Sequence, residues 1–143
     1  MLIKKALKEK KKVIAKITDL IQKAQTYNSV EEGVERSYDP VASLDGAMKA
    51  IDELVELKTK IHLANAKVHA KIFRLSEIKS LLSRIKSIDC TAGKFAERWS
   101  REQPVVKTAL ITLQDRDTLI QELEAEIERI QEELDTHNST VSI

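Results

Sequence analysis

The first 27 residues carry apolar side chains with the period of an amphipathic helix. Their main stripe advances in steps of four and three, which is a heptad seam interrupted by one lysine. It consists of Ile3, Leu7, Lys10, Ile14, Ile17, Ile21 and Ala24. A second stripe, with a spacing of seven, runs beside it and consists of Ala6, Val13, Leu20 and Tyr27. The pattern predicts a helix over residues 2–27, and the width of the combined stripe favours a bundle over a two-stranded coiled coil.

The helical period stops after residue 27 and resumes at Asp39-Pro40. This dipeptide is a helix start, because the carboxylate accepts free backbone N–H groups and proline has no N–H to leave unpaired. Apolar positions then recur up to residue 88. The first of them are Leu44, Met48, Ile51, Leu54, Val55, Ile61, Ala64 and Val68. Because one helix over this whole stretch would be very long, we expect a bend or short break near Asn65 and helices over residues 40–65 and 68–88.

Residues 89–113 have a different pattern, since Gly93 can close the preceding helix and a β-branched run follows at residues 105–113. We expect a β-hairpin over about residues 94–113, with Trp99 packing it onto the helices. A further apolar seam then predicts a last helix over residues 115–136.

The whole pattern predicts a mostly α fold. We expect an antiparallel helical bundle with long coiled-coil-like helices and a small β-hairpin insert, in a single domain over residues 1–143. The composition agrees, since 42% of residues are hydrophobic, 33% charged and 3% aromatic, with only 3 glycines. Such a mixture is typical of long helices and coiled coils. The sequence contains no glycine-rich phosphate loop, and we predict that the protein is not an enzyme and binds no cofactor.

Charge is arranged in blocks along the chain. The net charge is +6 over residues 1–27, −5 over 28–55, +7 over 56–101 and −7 over 114–136. Helices with apolar seams and opposite flanking charges are natural partners. We therefore expect the lysines of the first helix to pair with the acids of the last, in the same subunit or in another. The predicted pairs join Lys4, Lys5, Lys8 and Lys11 to Glu122, Glu126, Glu128 and Glu133. On this interpretation Ile14, Ile17 and Ile127 are buried against protein.

The basic block at residues 56–101 suggests nucleic-acid binding as an alternative. Its candidate surface consists of Lys67, Lys71, Arg74, Lys79, Arg84 and Lys86. The formal net charge of the chain is only +1, so no global signal supports this alternative. A basic amphipathic helix at a membrane is a further alternative, although no apolar run approaches the length of a membrane span.

Few residues carry the chemistry of a catalytic or metal site. His62 and His69 are seven apart, so one metal ion could not reach both along a continuous helix. Cys90 is the only cysteine and has no partner for an internal disulfide, which favours a cytoplasmic protein. The densest loop acids, at Glu31, Glu32 and Glu35, match no calcium-binding spacing. We expect no metal site.

Three short motifs resemble those of a family of small bacterial helical proteins, the septicolysin-like family, whose function is unknown. An Asn followed by a Gln-Glu-Gly-Glu-type loop is matched by Asn28, Glu32, Gly33 and Glu35, with Glu31 in place of Gln. An Arg-Ile-Asn-x-Thr-Asn-type helix end is matched by Ile61 and Asn65, with His62 and Ala64 departing from it. A C-terminal Asn-x-Thr-Thr is matched by Asn138 and Thr140, with Val141 departing from it.

The resemblance implies a helical fold and no established enzymatic activity. It also implies an interaction site at the matching positions, where two helix ends would meet. That site would consist of Asn28, Glu32, Glu35, His62 and Asn65. We expect a non-enzymatic scaffold or protein-interaction protein whose partner is a second copy of itself, with another protein, a nucleic-acid-associated role or a membrane-active oligomer as alternatives.

Overall fold

The computed structural model describes residues 1–95 and 103–143. Within these residues it contains four α-helices and a two-stranded antiparallel hairpin, which confirms the predicted mostly α fold with a small β-hairpin. The helices are α1 (Ile3–Tyr27), α2 (Pro40–Ala64), α3 (His69–Ile85) and α4 (Leu113–Thr140), and the strands are β1 (Gly93–Phe95) and β2 (Val105–Lys107). The chain divides into two compact units, residues 1–68 with 135–143 and residues 69–134, and the prediction of a single domain stays a prediction.

The helical pattern of residues 40–88 is interrupted where the bend or break was expected. The α2 helix ends at Ala64, Asn65 forms its C-cap, and a 3-10 turn over Ala66–Val68 precedes His69 at the start of α3. The Asn65 N–H donates to the Ile61 carbonyl (3.0 Å), so the last turn of α2 is closed by backbone alone. Neither glycine nor proline is needed for this break.

Helices α1 and α2 pack antiparallel through small side chains. A Cβ atom on Gly46 would be 3.4 Å from the Leu20 side chain, so residues 20 and 46 lie at the same height along the two helices. Closer to the N-terminus of α1, Lys16 and Glu53 form an ion pair at 3.9 Å. The residues buried on the two helices are Ile3, Ala6, Val13, Ser43, Ala47, Ala50, Leu57 and Ile61. Alanine and serine let the two backbones approach closely, and the larger side chains at 57 and 61 form a cluster with Ala6.

The stripe of α1 that faces α2 is the narrower of the two seen in the sequence. Ala6 and Val13 are buried, whereas Ile14 of the main seam is 43% exposed. Within one chain, the prediction that Ile14 is buried is therefore wrong, and Ile17 and Ile127 are only half-buried. The close approach of α1 and α2 explains this arrangement. A stripe that contains alanine lets the two backbones come close together, whereas a row of isoleucines would hold them apart.

The first and last residues pair with each other in an extended arrangement. Leu2 and Ser142 form an antiparallel bridge, and the Ile143 N–H donates to the Met1 carbonyl (2.8 Å). Helix α4 extends to Thr140, four residues beyond its predicted end. The last residues thus form a short extended pairing with the first.

The hairpin is shorter than predicted, and α4 begins two residues earlier than predicted. Its register pairs Gly93 with Lys107 and residue 95 with Val105, and β2 ends at Lys107. Thr112 and Asp115 form a reciprocal cap in which each side chain accepts the backbone N–H of the other (3.1 and 3.2 Å). This cap starts α4 at Leu113, inside the segment predicted as strand. Trp99, which was expected to pack on the helices, lies outside the described residues.

The start of α2 depends on the predicted aspartate cap, and this gives a first test. The Asp39 carboxylate accepts the backbone N–H groups of Val41 and Ala42 at 2.9 and 3.2 Å. Replacing Asp39 with alanine should lower the free energy of unfolding by about 1 kcal/mol, measured by urea denaturation, because both donors lose their partner. Asp39→Asn keeps an acceptor and is the matched control. Equal stability of the alanine and asparagine variants would contradict this role.

Candidate functional site: an exposed apolar face

Helix α2 carries two apolar stripes of different size, and the larger one faces outward. The inward stripe contains Ala47 and Ala50, as described above. The outward stripe advances in alternating steps of three and four and consists of Val41, Leu44, Met48, Ile51 and Val55. All five side chains are exposed, Val41 by 66% and both Met48 and Val55 by 58%. A heptad stripe of large apolar residues in water is the feature that a helix presents to another helix.

Helix α1 contributes apolar side chains to the same side of the α1–α2 pair. An open groove of about 500 Å³ is lined by residues from both helices, namely Ile21, Ala24, Gln25, Asn28, Pro40, Val41 and Leu44. The outward stripes of α1 and α2 therefore open onto one side. We call this surface the apolar face. It consists of Ile14, Ile17, Ile21 and Ala24 on α1 with Val41, Leu44, Met48, Ile51 and Val55 on α2.

The dimensions of the apolar face match those of an interaction surface. Residues 41–55 extend about 22 Å along α2 at 1.5 Å per residue. With two helices about 10 Å apart, the face covers roughly 450 Å² in projection. Contiguous apolar patches of about 300–600 Å² are the largest that monomeric proteins usually expose, and they are often functional. The apolar face is thus as large as the largest patch of an ordinary monomer, and its heptad spacing distinguishes it from a scatter of exposed hydrophobic residues.

The structure separates the interaction site that the resemblance implied. Asn28 is the C-cap of α1, and Glu32 and Glu35 lie in the loop that follows. His62 and Asn65 lie at the C-terminal end of α2. Because α1 and α2 are antiparallel, the two groups are at opposite ends of the 25-residue helix α2, about 37 Å apart at 1.5 Å per residue. They do not meet within one chain.

The loop between α1 and α2 is fastened to α1 by its own side chains. Arg36 donates to the carbonyls of Tyr27 and Asn28 at 2.8 and 3.0 Å, which satisfies acceptors at the end of the helix. The ring of Tyr38 lies 5.3 Å from that of Tyr27, and the Lys23 ammonium lies 4.4 Å from the Tyr38 ring centroid. These contacts account for the loop by local capping and packing. A binding role for Glu32 and Glu35 stays a prediction.

Three acids of α4 pair with cations on α3 and just beyond its end. Glu133 pairs with Lys71, Glu126 with Arg74 (2.7 Å), and Glu124 with Lys86 (3.4 Å). Within the chain, the predicted pairing of the α1 lysines with Glu126 and Glu133 is therefore wrong. The charge pattern found the correct sign of partner but not the correct helix, because α3 carries the same charge as α1.

The same ion pairs bear on the candidate nucleic-acid surface. Three of its six cations, on α3 and just beyond it, have a carboxylate partner on α4, while Lys79 and Arg84 are exposed on α3. Lys67 belongs to the 3-10 turn. Acids interleaved with cations reduce the local positive potential that attracts a phosphate backbone. The basic segment consequently gives less support to nucleic-acid binding than the sequence suggested.

The α3–α4 ion pairs predict a specific acid sensitivity. The hydrogen bond from Arg74 lowers the pKa of Glu126 below its ordinary value of 4.5, and the hydrogen bond from Lys71 does the same for Glu133. A lowered carboxyl pKa adds stability that is present above pH 4.5 and is lost as pH falls through the folded-state pKa. Glu126→Gln should therefore flatten the acid side of the curve of unfolding free energy against pH. Glu128→Gln, on another side of α4, is the control, and an equal effect of both would contradict this assignment.

Other candidate chemical groups are dispersed. His62 and His69 belong to different helices on either side of the break, and the Cys90 thiol is half-buried with its Sγ 3.6 Å from the Ile88 carbonyl. Within residues 1–95 and 103–143, no three His, Cys, Asp or Glu side chains gather as a metal site would require. In the same residues, no helix combines the length and the apolar character needed to cross a bilayer.

The exposure of the apolar face was not predicted, although the sequence contains its signal. Gly46, Ala47 and Ala50 place small residues on one side of α2, while Met48 and Ile51 place large ones on the neighbouring side. Small side chains at helical spacing mark a close helix contact, and this contact leaves the large side chains for a second partner.

The chain has no match among known protein families, curated proteins or solved structures. The resemblance to the septicolysin-like family therefore stays a prediction, and the proposal below is based on the geometry of the apolar face.

Proposed function

We propose that this protein is a non-enzymatic helical scaffold that self-assembles into a homo-oligomer through the apolar face. The observation that carries the proposal is the exposed heptad stripe of α2, from Val41 to Val55. Burial of apolar area yields about 25 cal/mol per Å², so a partner that covers this stripe gains several kcal/mol.

The shape of the apolar face favours a helix as its partner. The groove between α1 and α2 is open and elongated, and apolar side chains follow one another along it at heptad spacing. A small-molecule site would instead be a concave pocket with a few convergent polar groups. Knobs of an opposing helix fit between side chains at this spacing.

Co-purification of two tagged copies tests the proposal. Copies with different affinity tags are expressed together, and one tag is captured on resin. We expect the second copy to be retained, and to be lost when Met48 and Ile51 are both replaced with glutamine. Absence of the second copy from the captured material, at concentrations where both copies are folded by circular dichroism, would contradict self-assembly.

A further inference from the structure

We propose that the apolar face binds a second copy of this chain about a two-fold axis parallel to the helices, so that α1 of each copy lies antiparallel against α2 of the other. This arrangement rests on the proposed function and specifies the partner and its orientation. It would form a four-helix bundle in which every neighbouring pair of helices is antiparallel.

The angle between the buried and exposed stripes supports a four-helix bundle. Each residue turns an α-helix by about 100°. On α2, the stripe through Ala47 and Ala50 faces α1, and the stripe through Met48 and Ile51 follows one residue later along the chain. The two stripes are therefore about 100° apart around the helix. A helix at the corner of a square bundle contacts two neighbours at nearly this angle.

The α1–α2 pairs of two copies can stack face to face in two symmetric ways. With the two-fold axis parallel to the helices, α1 lies on α2 of the second copy, and both copies have their α1 N-termini at the same end. With the axis perpendicular to the helices, α1 lies on α1 and α2 on α2, and the N-termini are at opposite ends. Both arrangements bury the same apolar face, so charge decides between them.

The charges that border the apolar face favour the first arrangement. Lys11 follows the heptad stripe on α1 by one position, just beyond the end of the apolar face, and Asp45 and Asp52 follow the stripe on α2 with Lys49 between them. The axis parallel to the helices brings Lys11 of each copy towards Asp52 of the other. The perpendicular axis, centred on the apolar face, brings Asp45 of each copy close to Asp52 of the other, which is unfavourable, and leaves Lys11 far from both aspartates of the second copy.

The register within one chain also fixes the register between copies. Leu20 lies level with Gly46, and Lys16 pairs with Glu53. A two-fold axis parallel to the helices preserves these levels, so Lys11 falls about one helical turn from Asp52 of the second copy. A lysine side chain is long enough to span that offset.

Reversal of these two charges tests the arrangement by the sign of its effect. Lys11→Glu replaces two attractive contacts per dimer with two repulsive ones and should weaken the dimer roughly tenfold by sedimentation equilibrium. Asp52→Lys should weaken it similarly. The double variant Lys11→Glu with Asp52→Lys should return the affinity to near that of the unmodified protein. In the perpendicular arrangement, Asp52→Lys would replace a repulsion by Asp45 of the second copy with an attraction and strengthen the dimer, and that result would overturn the inference.

A distance measurement provides a second, independent test. Lys5 is exposed on the side of α1 away from the apolar face, so a spin label can be attached to Lys5→Cys in a Cys90→Ser background. Helix spacing and rise give label separations of about 25 Å for the proposed dimer and about 45 Å for the perpendicular one. A dimer with the long distance would overturn the arrangement and leave the proposed function standing. A monomer would overturn both, and would assign the apolar face to a helix of a different protein.

Discussion

Replacing Met48, Ile51 and Val55 together with glutamine is expected to abolish self-association. These three side chains form the middle and lower part of the α2 stripe and are exposed in the single chain. Burying the exposed part of each is worth about 1 kcal/mol, and six such side chains are covered in a dimer. The dissociation constant should therefore rise at least a thousandfold, by about 1.4 kcal/mol for each factor of ten. Sedimentation equilibrium over a wide concentration range measures it.

The matched control for this triple variant lies on the same helix. Leu63 is 67% exposed but lies outside the heptad stripe, on another side of α2. Leu63→Gln removes a comparable exposed apolar side chain and should leave the dissociation constant unchanged. If Leu63→Gln weakened association as much as the triple variant, general surface hydrophobicity would explain the assembly, and the apolar face would lose its specific role.

Enlarging Ala47 is expected to have the largest effect on the stability of the first unit. Ala47 is fully buried between α1 and α2, where small side chains set the helix separation. Leucine at this position adds three carbon atoms to a contact without room for them. The free energy of unfolding should fall by about 1–3 kcal/mol, measured by urea denaturation.

The residue next to Ala47 provides the comparison. Met48→Leu conserves volume and hydrophobicity at an exposed position, so the stability of the isolated chain should change by less than about 0.5 kcal/mol. The contrast between residues 47 and 48 tests which stripe of α2 faces α1. A neutral Ala47→Leu combined with a destabilising Met48→Leu would mean that α2 is rotated relative to the structure described above.

Local signals allowed accurate prediction of most helix boundaries. Asp39-Pro40 marked the start of α2 because both of its residues act on the backbone within a few positions. The start of α4 was missed because a β-branched run extends to Thr112, and β-propensity depends on context more than helix propensity does. The reciprocal cap between Thr112 and Asp115 overrides that run, and its spacing was visible in the sequence.

Which helices pack together was harder to predict than where each helix begins and ends. The heptad seam through Ile14 was correctly identified as apolar, but the sequence does not state which of two adjacent stripes faces the nearest helix. In the structure the stripe through Ala6 and Val13 faces α2, because its small side chains let the two backbones come close together. Charge blocks were equally ambiguous, since α1 and α3 are both basic and α4 pairs with α3. Interactions between distant segments depend on geometry that composition does not contain.

The mass of the unmodified protein in solution tests the central claim most directly. Light scattering across a concentration series reports whether the 16.2 kDa chain associates when the apolar face is intact. We predict a discrete species of twice the chain mass that persists over the upper part of the series. A mass equal to that of one chain at every concentration would contradict burial of the apolar face by a second copy.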